Sequence, residues 1–226
     1  MFEGFTSRTD EFFMAIRFNN NTQFFHENHD WYEEAVREPL KALAADLAPA
    51  VELLDPRLER RPARVVSRIN RDIRFSNDKS PYRDYMWLSF SRPRPERYGT
   101  LGLYFDISAE GSSYGMGFHD ENRPLMNGLR HQLATDPEPF FEAARPALAE
   151  FSLSAWTFKR MKLPPDLKEE ARAWYPMRSF WISRELTRAQ ISTPALVDEI
   201  ARGIGVFTPF YRYLSEIEPI DEFELP

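Results

Sequence analysis

The apolar positions of the first fifty residues recur at helical spacing. Over residues 6–18, Phe12, Phe13 and Ile16 share one face behind a Thr/Ser cap, which predicts a helix. Asn19, Asn20 and Asn21 break it, and an Asn or Thr22 caps the next helix. Phe25, His29, Tyr32, Val36, Leu40, Leu43 and Leu47 then advance in steps of three and four, and Phe24, Trp31 and Ala35 widen the stripe. That spacing predicts an amphipathic helix over about 22–48. Pro39 falls inside it. Without an amide hydrogen it must kink the helix or begin a second segment.

From residue 64 the period switches to two. Ile69, Ile73 and Phe75 face one way, and Arg68, Asn70, Asp72 and Arg74 the other. Met86, Leu88 and Phe90 alternate over 84–91, as do Leu101, Leu103, Phe105 and Ile107. Tyr114, Met116 and Phe118 come next, opposite Ser113, Gly115, Gly117 and His119. With turn signals at 92–95 and at Glu110 and Gly111, these runs predict an antiparallel meander at about 64–119. Helical patterns return near 122–134, 137–150 and 165–174. Another runs from Thr193 and Pro194 to about 203, where Gly203 and Gly205 loosen or end it before an aromatic segment at 207–214. Strand candidates lie at 153–158 and 180–182. Helices and strands are segregated, so the expected class is α+β: a mostly antiparallel sheet packed against N-terminal and C-terminal helices. No repeat, low-complexity tract or long proline cluster interrupts the chain, and a single domain over 1–226 is expected.

Composition narrows the chemistry. The 19 Phe, 9 Tyr and 5 Trp imply a core built on rings. There is no cysteine, which excludes disulfides, thiolate zinc sites and a cysteine nucleophile. The first residues lack the basic and apolar regions of a signal peptide, and no run reaches the ~18 apolar residues of a membrane span, so a soluble, cytoplasmic protein is expected. The net charge of −6 argues against a surface coated for nucleic acid. Charge is uneven, however. Residues 57–97 hold twelve Lys and Arg against five acids, a local surplus of seven positive charges on an acidic body. Such a region focuses anions.

Within that window, residues 67–85 read S-R-I-N-R-D-I-R-F-S-N-D-K-S-P-Y-R-D-Y. A fixed array of guanidiniums matches the paired oxygens of a carboxylate or phosphate. Arg68, Arg71, Arg74, Lys79 and Arg83 are the candidate ligands. Asp72 and Asp78 would orient them or serve as general base, and a turn through Asn77, Asp78 and Ser80 to Tyr82 would carry Lys79 and Arg83 back over the strand. Arg71 falls on the side of Ile69 and Ile73, where it must meet a carboxylate or sit at a bulge. Three readings stand: a small-anion site, possibly enzymatic; a non-catalytic module docking an acidic partner through the same face; or an ion-pair lattice that is structural only. A concave pocket would favour the first and a flat basic face the second. No catalytic residue can be assigned.

The run R-I-N-R-D-I-R-F-S-N-D-K-S-P-Y-R resembles the signature of the bacterial domain-of-unknown-function 2461 family. Gly4 with Phe5, Phe12 with Phe13, the three asparagines at 19–21, Phe24 with Phe25, the Gly115-x-Gly117 pair, Arg130 and residues 159–180 fit the same layout. Phe24 stands where the family pattern has Trp. The resemblance implies a single-domain protein and carries over no catalytic residue.

The remaining candidates are weaker. His26 and His29 are three apart on a helix with Glu33 nearby, but the spacing is not a zinc signature, and a partly buried His29 is expected instead of a metal ligand. No cofactor is implied. Gly115 and Gly117 clear one strand face for a ligand or, more commonly, for a helix or ring. Nucleophile signatures such as G-x-S-x-G are missing.

Overall fold

A computed structural model describes residues 1–74, 77–93 and 99–221; Phe75, Ser76 and the later half of the turn expected at 92–95 lie outside them. Helix α1 spans Ser7–Phe18 and buries Thr9, Phe12, Phe13 and Ile16, as the spacing predicts. The Asn21 side chain caps α2 (Thr22–Glu27) by accepting from the Phe24 amide at 2.9 Å. The long helix expected next is interrupted. A four-residue α3 (His29–Tyr32) leads into a π turn (Glu33–Arg37), and α4 (Glu38–Leu54) begins with Pro39 in its first turn, where a missing amide is tolerated. The Ala35 carbonyl would ordinarily accept from residue 39. The buried Thr9 hydroxyl of α1 donates to it instead, at 2.7 Å.

After the short α5 (Pro62–Val65) come β1 (Tyr85–Ser91), β2 (Gly102–Ser108) and β3 (Ser112–Phe118). Then come α6 (Arg123–Thr135), α7 (Glu138–Glu150), β4 (Ser152–Thr157), α8 (Glu169–Arg172), β5 (Met177–Leu186), α9 (Arg188–Ile191) and α10 (Leu196–Glu216). The strands form one antiparallel sheet in the order β1-β2-β3-β5-β4, with Ala155 of β4 opposite Phe180 of β5. The fold is α+β.

Three expectations need correction. The first run of the meander is not a strand: among the described residues of 66–83 there are only the isolated bridges of Val66 to Leu88 and Asn70 to Tyr82. Alternation holds at buried Ile69 but fails at Ile73, which is 44% exposed where the chain turns. Second, α10 runs unbroken through Gly203 and Gly205. An interior glycine costs about 1 kcal/mol, whereas burying Phe207 and Phe210 on the continuing stripe is worth ~1.5–3 kcal/mol each. Third, the helix expected at 165–174 shrinks to α8.

The chain divides into two compact units. In the first (Met1–Phe90, Leu103–Tyr114 and Glu185–Arg202), the buried residues include Phe12, Val36, Leu43, Met86 and Ile107, and Phe5 stacks on Phe105 at 5.7 Å. In the second (Ser91–Gly102, Gly115–Arg184 and Gly203–Pro226), the rings of Phe140, Trp174, Phe180 and Phe210 pack mutually at 4.8–6.1 Å. There a Cβ at Gly115 would collide with the Ile182 carbonyl, and one at Gly117, whose φ is +146°, with that of Phe180. Backbone of the neighbouring strand, joined at Gly117 by the Trp181 Cβ, occupies the space these glycines clear.

Candidate functional site

The described residues of 66–85 leave α5, turn at Ile73 and Arg74 and return into β1 as a loop of two limbs. Its two limbs are tied by backbone hydrogen bonds: Arg71 N to Pro81 O at 2.8 Å, Arg83 N to Ile69 O at 2.8 Å and Ser67 N to Trp87 O at 2.9 Å. A side chain 62 residues away latches the loop. Asn20 donates from Nδ2 to the Tyr82 carbonyl at 2.9 Å and accepts the Tyr82 amide on Oδ1 at 3.0 Å. The buried Tyr82 ring stacks on Phe25 of α2 at 4.3 Å and 24°. Tyr82 therefore anchors the loop and is not presented outward.

The eight residues singled out from the sequence share this loop, but their charged groups do not converge. Arg71, with only 15% of its side chain exposed, meets the carboxylate its position demands: one terminal nitrogen lies 3.1 Å from Asp78 Oδ2 and donates to the Tyr82 carbonyl at 3.3 Å, while its buried Nε finds no acceptor. The other Asp78 oxygen accepts from the Ser80 amide at 2.9 Å and hydroxyl at 2.7 Å. These bonds, and then Arg71, hold the Asp78 carboxyl below its ordinary range. Arg74 grips Asp72 two residues back through a fork of 3.0 and 2.7 Å, which lowers the Asp72 carboxyl to about 2. Both side chains are exposed, Arg74 by 76%. Lys79 donates to the Ile73 carbonyl at 2.8 Å. Arg83 donates from one nitrogen to the carbonyls of Arg68 and Asn70, and its guanidinium lies 5.0 Å from the Trp87 ring centre. Asp84 belongs to Arg17, at 2.6 Å, and Arg17 also reaches Glu110.

These cations fall into two sets. A carboxylate neutralises its partner; a carbonyl occupies an N–H and leaves the charge in place. Arg71 and Arg74 are neutralised. Arg68, Lys79 and Arg83 have no carboxylate within ion-pair distance among the described residues. Arg68 and Lys79 are exposed on the loop, and Arg83 is half-buried. Beside Arg83, Tyr85 and Trp87 stack at 5.8 Å, with Tyr85 40% exposed. Asn20, Phe25 and Trp87 escaped sequence reasoning as site residues. Only the extra Asn after α1 hinted at a role beyond ending a helix.

A family model described as "Conserved hypothetical protein (DUF2461)" matches residues 8–213. The chain belongs to this family. The matched span contains the whole latched loop, from Asn20 through Arg83. No curated protein and no solved structure matches the chain.

The histidine pair is not assembled as a ligand set. His29 is half exposed, with Nε2 3.7 Å from Glu33 and its ring edge-on to Phe25 at 5.7 Å. Among the described residues no three His, Asp or Glu side chains are grouped to hold a metal, and no helix is long and apolar enough to cross a membrane.

Proposed function

We propose that the protein is a binding module whose latched loop docks an acidic partner through Arg68, Lys79 and Arg83. The observation that carries this reading is the division of the cations. Arg71 and Arg74 are held by the loop's own carboxylates, leaving about three positive charges unneutralised on an exposed edge. Two of these charges are held in place, by the carbonyls that Lys79 and Arg83 grip on the Asn20-latched loop, so less ordering entropy is lost on docking. The stacked Tyr85 and Trp87 add a partly exposed aromatic surface beside them.

A small phosphate- or carboxylate-bearing ligand is the second reading. The acceptor-free Nε of Arg71 favours it, since a buried donor without a partner costs about 1–3 kcal/mol that an anion would recover. Fluorescence anisotropy with a labelled glutamate 20-mer and competition by inorganic phosphate separates the two. Docking predicts affinity that falls at least tenfold between about 50 and 300 mM salt, where the screening length shrinks below about 10 Å, with no competition by millimolar phosphate beyond its ionic strength. Competition by phosphate at constant ionic strength supports the small ligand. Absence of both 20-mer binding and phosphate binding at low salt overturns both.

A further inference from the structure

The second unit carries another cluster of cations, and it is assembled differently. Arg130 of α6 is buried, 3% exposed, yet among the described residues no carboxylate lies within ion-pair distance of it. Neutral acceptors hold it: the Tyr175 carbonyl at 2.9 Å, the Met177 carbonyl at 2.5 Å and Asn127 Oδ1 at 2.9 Å. Asn127 is itself fixed by donating to the Ile220 carbonyl at 2.9 Å, which aims its oxygen at Arg130. These three bonds use three of the five guanidinium N–H groups and leave the charge intact. Burial lowers the Arg130 pKa, consistent with a charge lacking a counterion.

Three further features point to the same place. The Phe158 ring has two guanidiniums against it, Arg130 and Arg178, each 5.6 Å from its centre. Glu121, the nearby acid, pairs with Arg123 at 3.7 Å and Arg178 at 3.6 Å and acts on Arg130 from beyond ion-pair distance, so one carboxylate serves three arginines. The Tyr175 hydroxyl is fully buried with no hydrogen-bond partner among the described residues, and the Arg130 charge lies close enough to oppose the upward push of burial on its pKa. Lys159, Arg160 and Lys162 come directly after Phe158 and are exposed.

We infer that Arg130, Arg178 and the Tyr175 hydroxyl form a site for a small oxyanion, a carboxylate or phosphate group, against the Phe158 ring. The anion supplies the counterion Arg130 lacks and the acceptor Tyr175 lacks. Arg178, whose side chain is 44% exposed, makes first contact, and the lysines beyond Phe158 raise the local anion concentration. The site is separate from the latched loop and does not depend on the docking reading.

Thermal unfolding in inorganic phosphate and in succinate, against sodium chloride at equal ionic strength, tests this. Tyr175→Phe removes a hydroxyl that bonds nothing in the free protein, and Arg178→Gln alters an exposed residue, so both variants fold. The inference predicts that one of the two anions raises the wild-type Tm beyond the chloride control, and that each substitution weakens that anion at least tenfold. Arg68→Glu with Lys79→Glu, which disables the latched loop, leaves the stabilisation unchanged. No stabilisation by either anion, or stabilisation that survives Tyr175→Phe and Arg178→Gln, overturns it.

Discussion

Replacing Asn20 by alanine tests how the loop is held. The substitution deletes two hydrogen bonds to the Tyr82 backbone, of 2.9 and 3.0 Å. Each is worth about 0.5–1.5 kcal/mol net, so the pair is worth about 1–3 kcal/mol. The two halves are not equal. The Tyr82 carbonyl keeps a bond from Arg71 at 3.3 Å, but the amide loses its acceptor beside a buried ring. The expected cost is about 2 kcal/mol, or a fall in Tm of about 4–8 °C for a chain of this size. Urea denaturation should show a lower midpoint at unchanged m-value. Hydrogen exchange should show faster loss of protection at the Arg71 and Arg83 amides, which bridge the limbs to Pro81 and Ile69, and unchanged protection in α10. A Tm shift under about 1 °C with unaltered exchange at those two amides would refute the latch.

Other outcomes depend on single contacts. Thr9→Val leaves the Ala35 carbonyl without its hydroxyl donor and should cost ~1–3 kcal/mol; because Pro39 is what withholds the usual donor, the penalty should shrink in a Pro39→Ala background, read as a double-mutant cycle. Gly115→Ala drives a Cβ into the Ile182 carbonyl and should destabilise by more than ~3 kcal/mol or abolish soluble expression, whereas Gly111→Ala, with open space around it, should be tolerated. The Asp72 carboxyl, followed by carbon NMR, should titrate at about 2 and move toward 3.8 in Arg74→Ala. Because its folded value is depressed, whatever the pair contributes is complete above about pH 4 and is lost as pH falls toward 2. A wild-type midpoint near 3.8 would mean that the fork does not persist in solution.

How much of this was legible in the sequence depends on the range of the forces involved. α1, α6, α7 and the strands β1 to β3 could be read because burial of a periodic face decides them locally. Pro39 announced a break through covalent chemistry alone, but the compensation by Thr9, 26 residues before Ala35, is tertiary and left no local mark. The arginine run misled for a similar reason. Ile69 and Ile73 are two strand repeats apart, and only the turn after Arg71 puts one inside and the other in water. For Arg71 the sequence left two outcomes, a carboxylate partner or a bulge, and the structure has the first: its guanidinium meets Asp78. The helix breakers at Gly203 and Gly205 were outweighed by the rings beyond them. Asn20 looked like punctuation, because nothing near it in sequence shows that its amide matches the backbone of Tyr82.

The division of the loop's cations into structural and presented sets is tested most directly by reversing the presented ones. Arg68→Glu combined with Lys79→Glu should weaken binding of the glutamate 20-mer at least tenfold at about 50 mM salt, with Tm within about 3 °C of wild type, since among the described residues Arg68 makes no side-chain bond and Lys79 a single one. Unchanged affinity for the 20-mer in this well-folded variant would contradict the account.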